Sequence, residues 1–199
     1  MRSRLIVVTA GIALLAVVGC ARINGDAPTP AQTTVVMNAS YRHYDTVEQL
    51  GQAADLVIRG TALSSEVKEL DSAITPTSDD PVLNPGGPVV PAIDVWTVYS
   101  FAVTDCYKGC ATAGTVVKVK VRGGTLDGVQ YVATGAPSFQ VNKKYILFLV
   151  AYGDRPASLV NPVQAAYSDG VDKDGNYIGL SQDSDLKFPP GQMKKLFDA

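Results

Sequence analysis

Cys106 and Cys110 are separated by the three residues "YKG", at the end of a stretch rich in β-branched and aromatic residues. A turn through Lys108 and Gly109 would bring the two α-carbons to within about 6 Å, as a disulfide requires. We therefore predict a disulfide that closes a small loop, with two separate thiols as the alternative. A redox role fits less well, because its usual motif is C-x-x-C in a thioredoxin-like setting.

Three basic side chains recur at every second position of the segment "TVVKVKVRG", residues 115–123. Lys118, Lys120 and Arg122 would line one face of a strand, since side chains alternate between its two faces. The pattern is typical of a solvated surface, on which lysines also protect an edge strand from aggregation. Such a face could instead bind an anionic polymer or a lipid headgroup, which makes these three residues a possible ligand face.

The aromatic residues Trp96, Tyr99 and Phe101 precede this basic segment along the chain. Aromatic rings on a barrel surface can serve as a stacking platform for a ligand. Aromatic residues in a strand also commonly form the core. The sequence leaves both roles open for these three residues.

The chain lacks the sequence patterns of the common catalytic and metal sites. It has no G-x-S-x-G motif, and both a Ser-His-Asp triad and a zinc site would depend on the single His43. The segment "DGVDKDGN", residues 169–176, superficially resembles a calcium loop. Counted from Asp172, however, its sixth residue is Tyr177 and its twelfth is Asp183, where an EF-hand needs glycine and glutamate. We predict no catalytic residues, no metal and no cofactor.

The chain begins Met-Arg-Ser-Arg and then runs apolar from Leu5 to Val18, apart from one threonine and one glycine. This run is shorter than the roughly 20 residues that span a bilayer, and the pattern is typical of an export signal. An uncleaved N-terminal anchor helix is the alternative.

The end of this run, Val17-Val18-Gly19-Cys20, resembles the lipobox of bacterial lipoproteins. The resemblance implies that residues 1–19 are cleaved as a signal peptide and that the Cys20 sulfur carries a diacylglyceryl group. Two or more acyl chains give stable anchoring. We therefore expect the membrane as one partner, with the domain lipid-anchored on its extracytoplasmic side.

Composition limits what the exported part can be. Cleavage before Cys20 would leave 180 residues, enough for one domain with a core of its own. Loss of Arg2 and Arg4 with the signal peptide would leave 15 basic against 19 acidic residues. This acidic balance argues against a nucleic-acid partner.

Residues 20–44 are polar and dotted with proline, which predicts a lipidated flexible tether. Residues 45–199 are expected to form a single domain, opened by a helix with Asp45 and Glu48 in a capping-box-like arrangement. The segment 71–94 holds five of the twelve prolines. We predict a proline-rich insertion there, either without a specific role or as a partner-binding segment.

The rest of the domain has the alternating pattern and turn signals of β structure. Gly60 is predicted to be a bend or bulge in its strand. A short helix is expected at the C-terminus. We predict a mainly β fold, a small five-stranded barrel or a sandwich with short flanking helices. The expected strands are 56–70, 95–107, 115–123, 129–134 and 144–152, with further short strands after them.

Three segments, "AADLVIRGTALSS", "VYSFAVTDCYKG" and "NKKYILFL", resemble successive strands of netrin-like domains. This group includes the tissue inhibitors of metalloproteinases. The resemblance implies a five-stranded OB-type barrel that binds partners through its face and loops. The inhibitory cysteine of that family has no counterpart near Ala53. The matched positions are Phe101, Val103, Lys108 and Gly109, followed by Tyr145, Leu147, Phe148 and Leu149.

Together these features predict a membrane-anchored lipoprotein of the cell envelope whose domain binds a protein or an envelope polymer without catalysis. The alternative is an envelope enzyme or a protein similar to a protease inhibitor, with a site that the sequence does not reveal. The absence of histidine downstream of His43 disfavours acid–base catalysis near neutral pH.

Overall fold

A computed structural model describes residues 33–71, 93–109 and 112–197, which all belong to one compact unit. Cys20, the predicted signal peptide, Cys110 and most of the proline-rich insertion lie outside these ranges. The described part is mainly β, as predicted, with two short helices. Its elements are β1 (Thr33–Met37), α1 (Val47–Ala53), β2 (Leu56–Asp71), β3 (Ile93–Lys108), β4 (Val116–Leu126), β5 (Val129–Ala133), β6 (Lys144–Tyr152), β7 (Arg155–Leu159), β8 (Ala166–Val171), β9 (Tyr177–Gly179) and α2 (Pro190–Phe197).

Five of these strands pair in a ring. β2 pairs with β3 and β6, β3 pairs with β4, and β6 pairs with β7, all antiparallel. The ring is completed where β7 pairs in parallel with β4, at Val119 with Ala157 and at Lys120 with Ser158. Because this last pairing extends over only two residue pairs, the barrel is only partly closed.

The sheet extends beyond this ring at two places, and the ring contains β7 where the sequence analysis expected β5 among the five main strands. β5 pairs with the second half of β4, and β1 pairs in parallel with β5. On the other side, β8 pairs with β6, and β9 pairs with β8. The register of β2 shifts at Arg59 and Gly60, so the bulge predicted at Gly60 is confirmed.

Alternation along the strands fills the barrel interior, as the sequence predicts. Phe101 and Val103 of β3 are buried, and so are Val119 and Val121 of β4. β6 is buried on both faces from Tyr145 to Leu149, because one face lines the barrel and the other lies under the C-terminal elements. Edge-to-face contacts between aromatic rings complete the core. Phe139, between β5 and β6, lies within about 5 Å of the rings of Tyr99, Phe101 and Tyr145.

The residues just before α1 are held on the domain. The helix begins after Thr46, whose hydroxyl accepts a hydrogen bond from the backbone of Gln49, so the cap is one residue later than predicted. The buried Gln164 side chain bonds both backbone groups of Tyr44, at 3.0 and 2.9 Å. Asn161 donates to the carbonyl of Arg42 at 2.8 Å. Together with β1, these bonds place part of the predicted tether, residues 33–44, against the domain.

In the described ranges, neither helix combines the length and the apolar character that crossing a bilayer requires.

Candidate binding site

The basic residues of β4 project from the outer surface of the barrel, because Val119 and Val121 between them face the core. Lys118 is exposed, whereas Lys120 and Arg122 are half-buried. On β3, Trp96 is the direct cross-strand neighbour of Arg122. The structure therefore separates the predicted stripe into one solvated lysine and two cations that make specific contacts.

Lys120 lies between two aromatic rings. Its ammonium nitrogen is 4.9 Å from the ring centre of Trp96 and 5.0 Å from that of Tyr152. A cation at this distance from a ring face is attracted by the ring quadrupole. Among the described residues, no hydrogen-bond acceptor is found for this nitrogen. The rings therefore position the ammonium group and leave its N–H donors available.

Arg122 is held differently. Its guanidinium carbon lies 5.2 Å from the Trp96 ring centre, and its Nη2 forms an ion pair with Asp94 at 2.6 Å. Both side chains of this pair are about 30% exposed, so the pair is partly shielded from solvent. The ion pair fixes the guanidinium beside Lys120 and neutralises only one of the two cations.

These side chains line a cleft of about 240 Å³, here called the Trp96–Lys120 cleft. Its wall is formed by strands β3, β4 and β7, by the segment before α1, and by the loops around Ala136 and Pro162. Among the described residues, its lining contains no carboxylate, histidine or cysteine. The lining residues are Ala39, Tyr41, Trp96, Lys120, Val121, Arg122, Ala136, Ser158, Leu159 and Pro162.

The cleft is electrostatically positive. The pKa of Lys120 is lowered, first because burial disfavours its charge and then because Arg155 and Arg122 repel it. Asp94 balances the charge of Arg122, but no carboxylate among the described lining residues balances Lys120, so the cleft favours an anion beside Lys120. The arrangement can bind a negative group.

The structure also resolves the two roles left open for the aromatic residues. Tyr99 and Phe101 belong to the core, whereas Trp96 lies on the opposite face of β3 and lines the cleft. The sequence analysis did not identify Tyr41, Asp94 or Tyr152. Asp94 could have been identified from its spacing, because it lies two residues before Trp96 and therefore on the same face of β3. No local pattern marks Tyr41 or Tyr152, because they reach the site from distant segments.

Lys108 and Gly109, which carried part of the netrin-like resemblance, have a structural role. Lys108 Nζ donates to the carbonyls of Gly51, Gln52 and Ala54 at 3.0, 3.2 and 2.6 Å, at the C-terminal end of α1. Gly109 has a φ of 70°, and a Cβ there would lie 2.2 Å from the carbonyl oxygen of Asp55. The Lys-Gly pair therefore attaches α1 to the end of β3.

The remaining candidates do not form a second centre. Cys106 is half-buried at the end of β3, and since Cys110 lies outside the described residues, their disulfide stays a prediction. His43 lies 3.3 Å from Asp185, with both side chains more than half exposed. In the described ranges, no group of three or more His, Cys, Asp or Glu side chains could hold a metal ion.

The segment that superficially resembles a calcium loop is a turn between β8 and β9. Asp172 Oδ1 accepts hydrogen bonds from the backbone of Asp174 and Asn176, both at 2.9 Å. The bond from Asn176 is the main reason why the pKa of Asp172 is lowered. The carboxylate is therefore used to form the turn.

Comparison with known proteins adds no family assignment: no protein-family model matches the chain, and a search of curated proteins finds no significant match.

Proposed function

We propose that this protein is a lipid-anchored component of the cell envelope whose barrel binds an anionic polymer through the Trp96–Lys120 cleft, without catalysis. The membrane anchor would be acylated Cys20, on the extracytoplasmic side. The polymer would be the unidentified envelope partner.

One observation carries the binding proposal: Lys120 is half-buried between two rings, and its N–H donors have no acceptor among the described residues. Holding a charge in a partly dehydrated place costs free energy unless a partner compensates. Elsewhere in this fold a half-buried lysine, Lys108, donates three hydrogen bonds. An anion supplied from outside would give Lys120 the same compensation.

Two features of the sequence support the proposed anchor. The apolar run ends in small residues directly before Cys20, as the lipobox resemblance requires. The described domain begins at residue 33, so the acylation site and the cleft belong to separate parts of the chain. Anchor and binding can therefore be tested independently.

The anchor is tested by feeding cells labelled palmitate. We expect label in the wild-type protein and in the membrane fraction, and loss of both in a Cys20→Ser variant. Label that persists in this variant would contradict acylation at Cys20.

Binding is tested with the acylated protein in detergent micelles and two anionic polymers, polygalacturonate and poly-glutamate. We expect both to bind, with affinity that falls as salt rises, and neutral dextran not to bind. Lys120→Met should weaken binding to both polymers at least five-fold. Lys173→Met is the matched control, because Lys173 is 90% exposed on the β8–β9 turn and its loss changes the net charge equally.

If neither acidic polymer binds better than dextran, the proposed function is wrong. Equal losses in the Lys120 and Lys173 variants would contradict the cleft as the site, because they would indicate attraction by net charge alone.

A further inference from the structure

We infer that the Trp96–Lys120 cleft binds one acid-bearing sugar ring of an envelope glycan, with the ring against the apolar wall and its carboxylate or phosphate on Lys120. This inference rests on the proposed function, since it names the kind of polymer that the same cleft would take.

The first argument is the shape of the cleft. About 240 Å³ corresponds to the liquid volume of roughly eight water molecules. This is more space than a carboxylate group alone would fill, and it leaves room for a ring beside the charged group. A flexible polyanion without rings would neutralise the cations and leave the rest of the cleft to water.

The second argument is the division of the lining. Leu159, Pro162 and Ala136 give it an apolar part, whereas Lys120 and Arg122 supply the positive charge. A ligand that combines a ring having apolar faces with one negative group complements both parts. The aromatic residues Trp96 and Tyr41 add flat surfaces, which sites for ring ligands commonly use.

The third argument is that the charged side chains are already in place. Lys120 is positioned by two rings, and Arg122 by its ion pair with Asp94. A site whose side chains are held before binding loses less conformational entropy when the ligand arrives. This favours recognition of one defined group over diffuse attraction to many.

The fourth argument is that the wall carrying Tyr41 is fixed by buried polar side chains. Asn161 and Gln164, which are 3% and 1% exposed, bond the backbone of Arg42 and Tyr44. Pro162, between them, lines the cleft itself. One loop therefore forms part of the cleft and also holds the segment opposite it.

Trp96 gives a direct readout, because it is the only tryptophan in the sequence. Its fluorescence can be followed in the acylated, detergent-solubilised protein during titration with galacturonate oligomers and with glutamate oligomers of equal charge. We expect galacturonate to bind at least ten-fold more tightly and to change the Trp96 emission to saturation. Glutamate oligomers should bind weakly by calorimetry and change the emission little.

Two variants make the test specific to ring recognition. Tyr41→Ala and Trp96→Phe should each reduce galacturonate affinity at least five-fold and leave glutamate affinity within two-fold. Lys120→Met should weaken binding of both oligomers. Calorimetry measures affinity in the Trp96 variant, and thermal unfolding confirms that each variant is folded.

The outcomes distinguish a failure of sugar recognition from a failure of anion binding. If galacturonate and glutamate bind equally and the aromatic variants have no selective effect, sugar recognition is wrong and anion binding stands. A preference for phosphatidylglycerol over phosphatidylcholine vesicles that is lost in Lys120→Met, together with no binding of galacturonate, would also overturn it, in favour of a lipid surface. If no acidic probe binds, both the inference and the proposed function fail.

Discussion

Lys108 and Lys120 lie on neighbouring strands of one barrel and are both half-buried, yet their surroundings differ completely. Lys108 donates to three backbone carbonyls at the end of α1. Lys120 contacts two aromatic rings and has no hydrogen-bond acceptor among the described residues. The ammonium group of Lys108 therefore has hydrogen-bond acceptors within the protein. The ammonium group of Lys120 is positioned by two rings, and its N–H donors have no acceptor among the described residues.

The comparison shows how one residue type can serve stability in one region and recognition in another. A buried donor that the protein satisfies strengthens the fold, because its loss exposes unpaired partners. A donor that the protein leaves unsatisfied weakens the fold slightly and is available to a ligand. The same substitution should therefore cost much more stability at Lys108 than at Lys120.

The largest effect is expected at Gly109, next to Lys108. Gly109→Ala would place a Cβ 2.2 Å from the Asp55 carbonyl oxygen at a φ of 70°, so the backbone must move. We expect a loss of about 3 kcal/mol or more in the free energy of unfolding, measured by urea denaturation. Gly114→Ala is the control, since its φ is 87° and no atom lies within 4 Å; it should cost about 1 kcal/mol. Equal losses would show that the contact with Asp55 is unimportant.

Lys108→Met should reduce stability by about 2 kcal/mol, because three carbonyls at the end of α1 lose a charged donor. The measurement is again urea denaturation, with the exposed Lys118→Met variant, expected to change stability by less than about 0.5 kcal/mol, as the control. A loss no greater than that of the control would show that Lys108 does not stabilise the fold.

Alkaline pH should lower the free energy of unfolding, because Tyr107, next to Lys108, ionises. Burial raises the pKa of Tyr107 to about 12. Because the folded-state pKa is raised, its contribution is fully present below pH 10 and is lost as pH rises towards 12. The loss should be no more than about 1 kcal/mol for this half-buried group. Unfolding measured between pH 9 and pH 12 should show a smaller decline in Tyr107→Phe; an identical decline would assign the effect elsewhere.

The smallest change in stability is expected at Lys120. Lys120→Met removes cation–π contacts of about 0.5–1 kcal/mol but also removes a partly dehydrated charge repelled by Arg155 and Arg122. These terms oppose each other, so stability should stay within about 0.5 kcal/mol of wild type. A loss as large as that in Lys108→Met would make Lys120 a structural residue and remove the basis of the comparison.

Much of the barrel could be predicted because strand alternation is a local property. The odd positions of β3, such as Phe101 and Val103, and of β4, such as Val119, are buried as their spacing indicates. The same alternation places Trp96 on the outer face, so its separation from Tyr99 and Phe101 was within reach of the sequence. The additional strands were harder to predict. β1, for example, lies in a segment whose composition is typical of a linker.

The cleft could be predicted only in part, because it is assembled from segments far apart in the chain. Lys120 and Arg122 were identified by their spacing on one strand. Tyr152 lies beside Lys120 because it ends strand β6. Tyr41 lines the cleft because Asn161 and Gln164 hold the backbone of the residues that follow it. Such long-range contacts depend on how distant strands pair in the sheet, which no single segment encodes. The positions matched in the netrin-like resemblance include Lys108 and Gly109 but none of the residues that line the cleft.

The pairing of β1 with β5 sets how far the domain could travel from a bilayer that holds Cys20. If Cys20 carries the proposed lipid, the number of residues between 20 and 33 sets the greatest distance that could separate the lipid from β1. Even fully stretched, these cover roughly 45 Å. This distance is about half of what a fully stretched segment up to Asp45 would allow, so a ligand of the proposed cleft would have to lie correspondingly closer to the membrane.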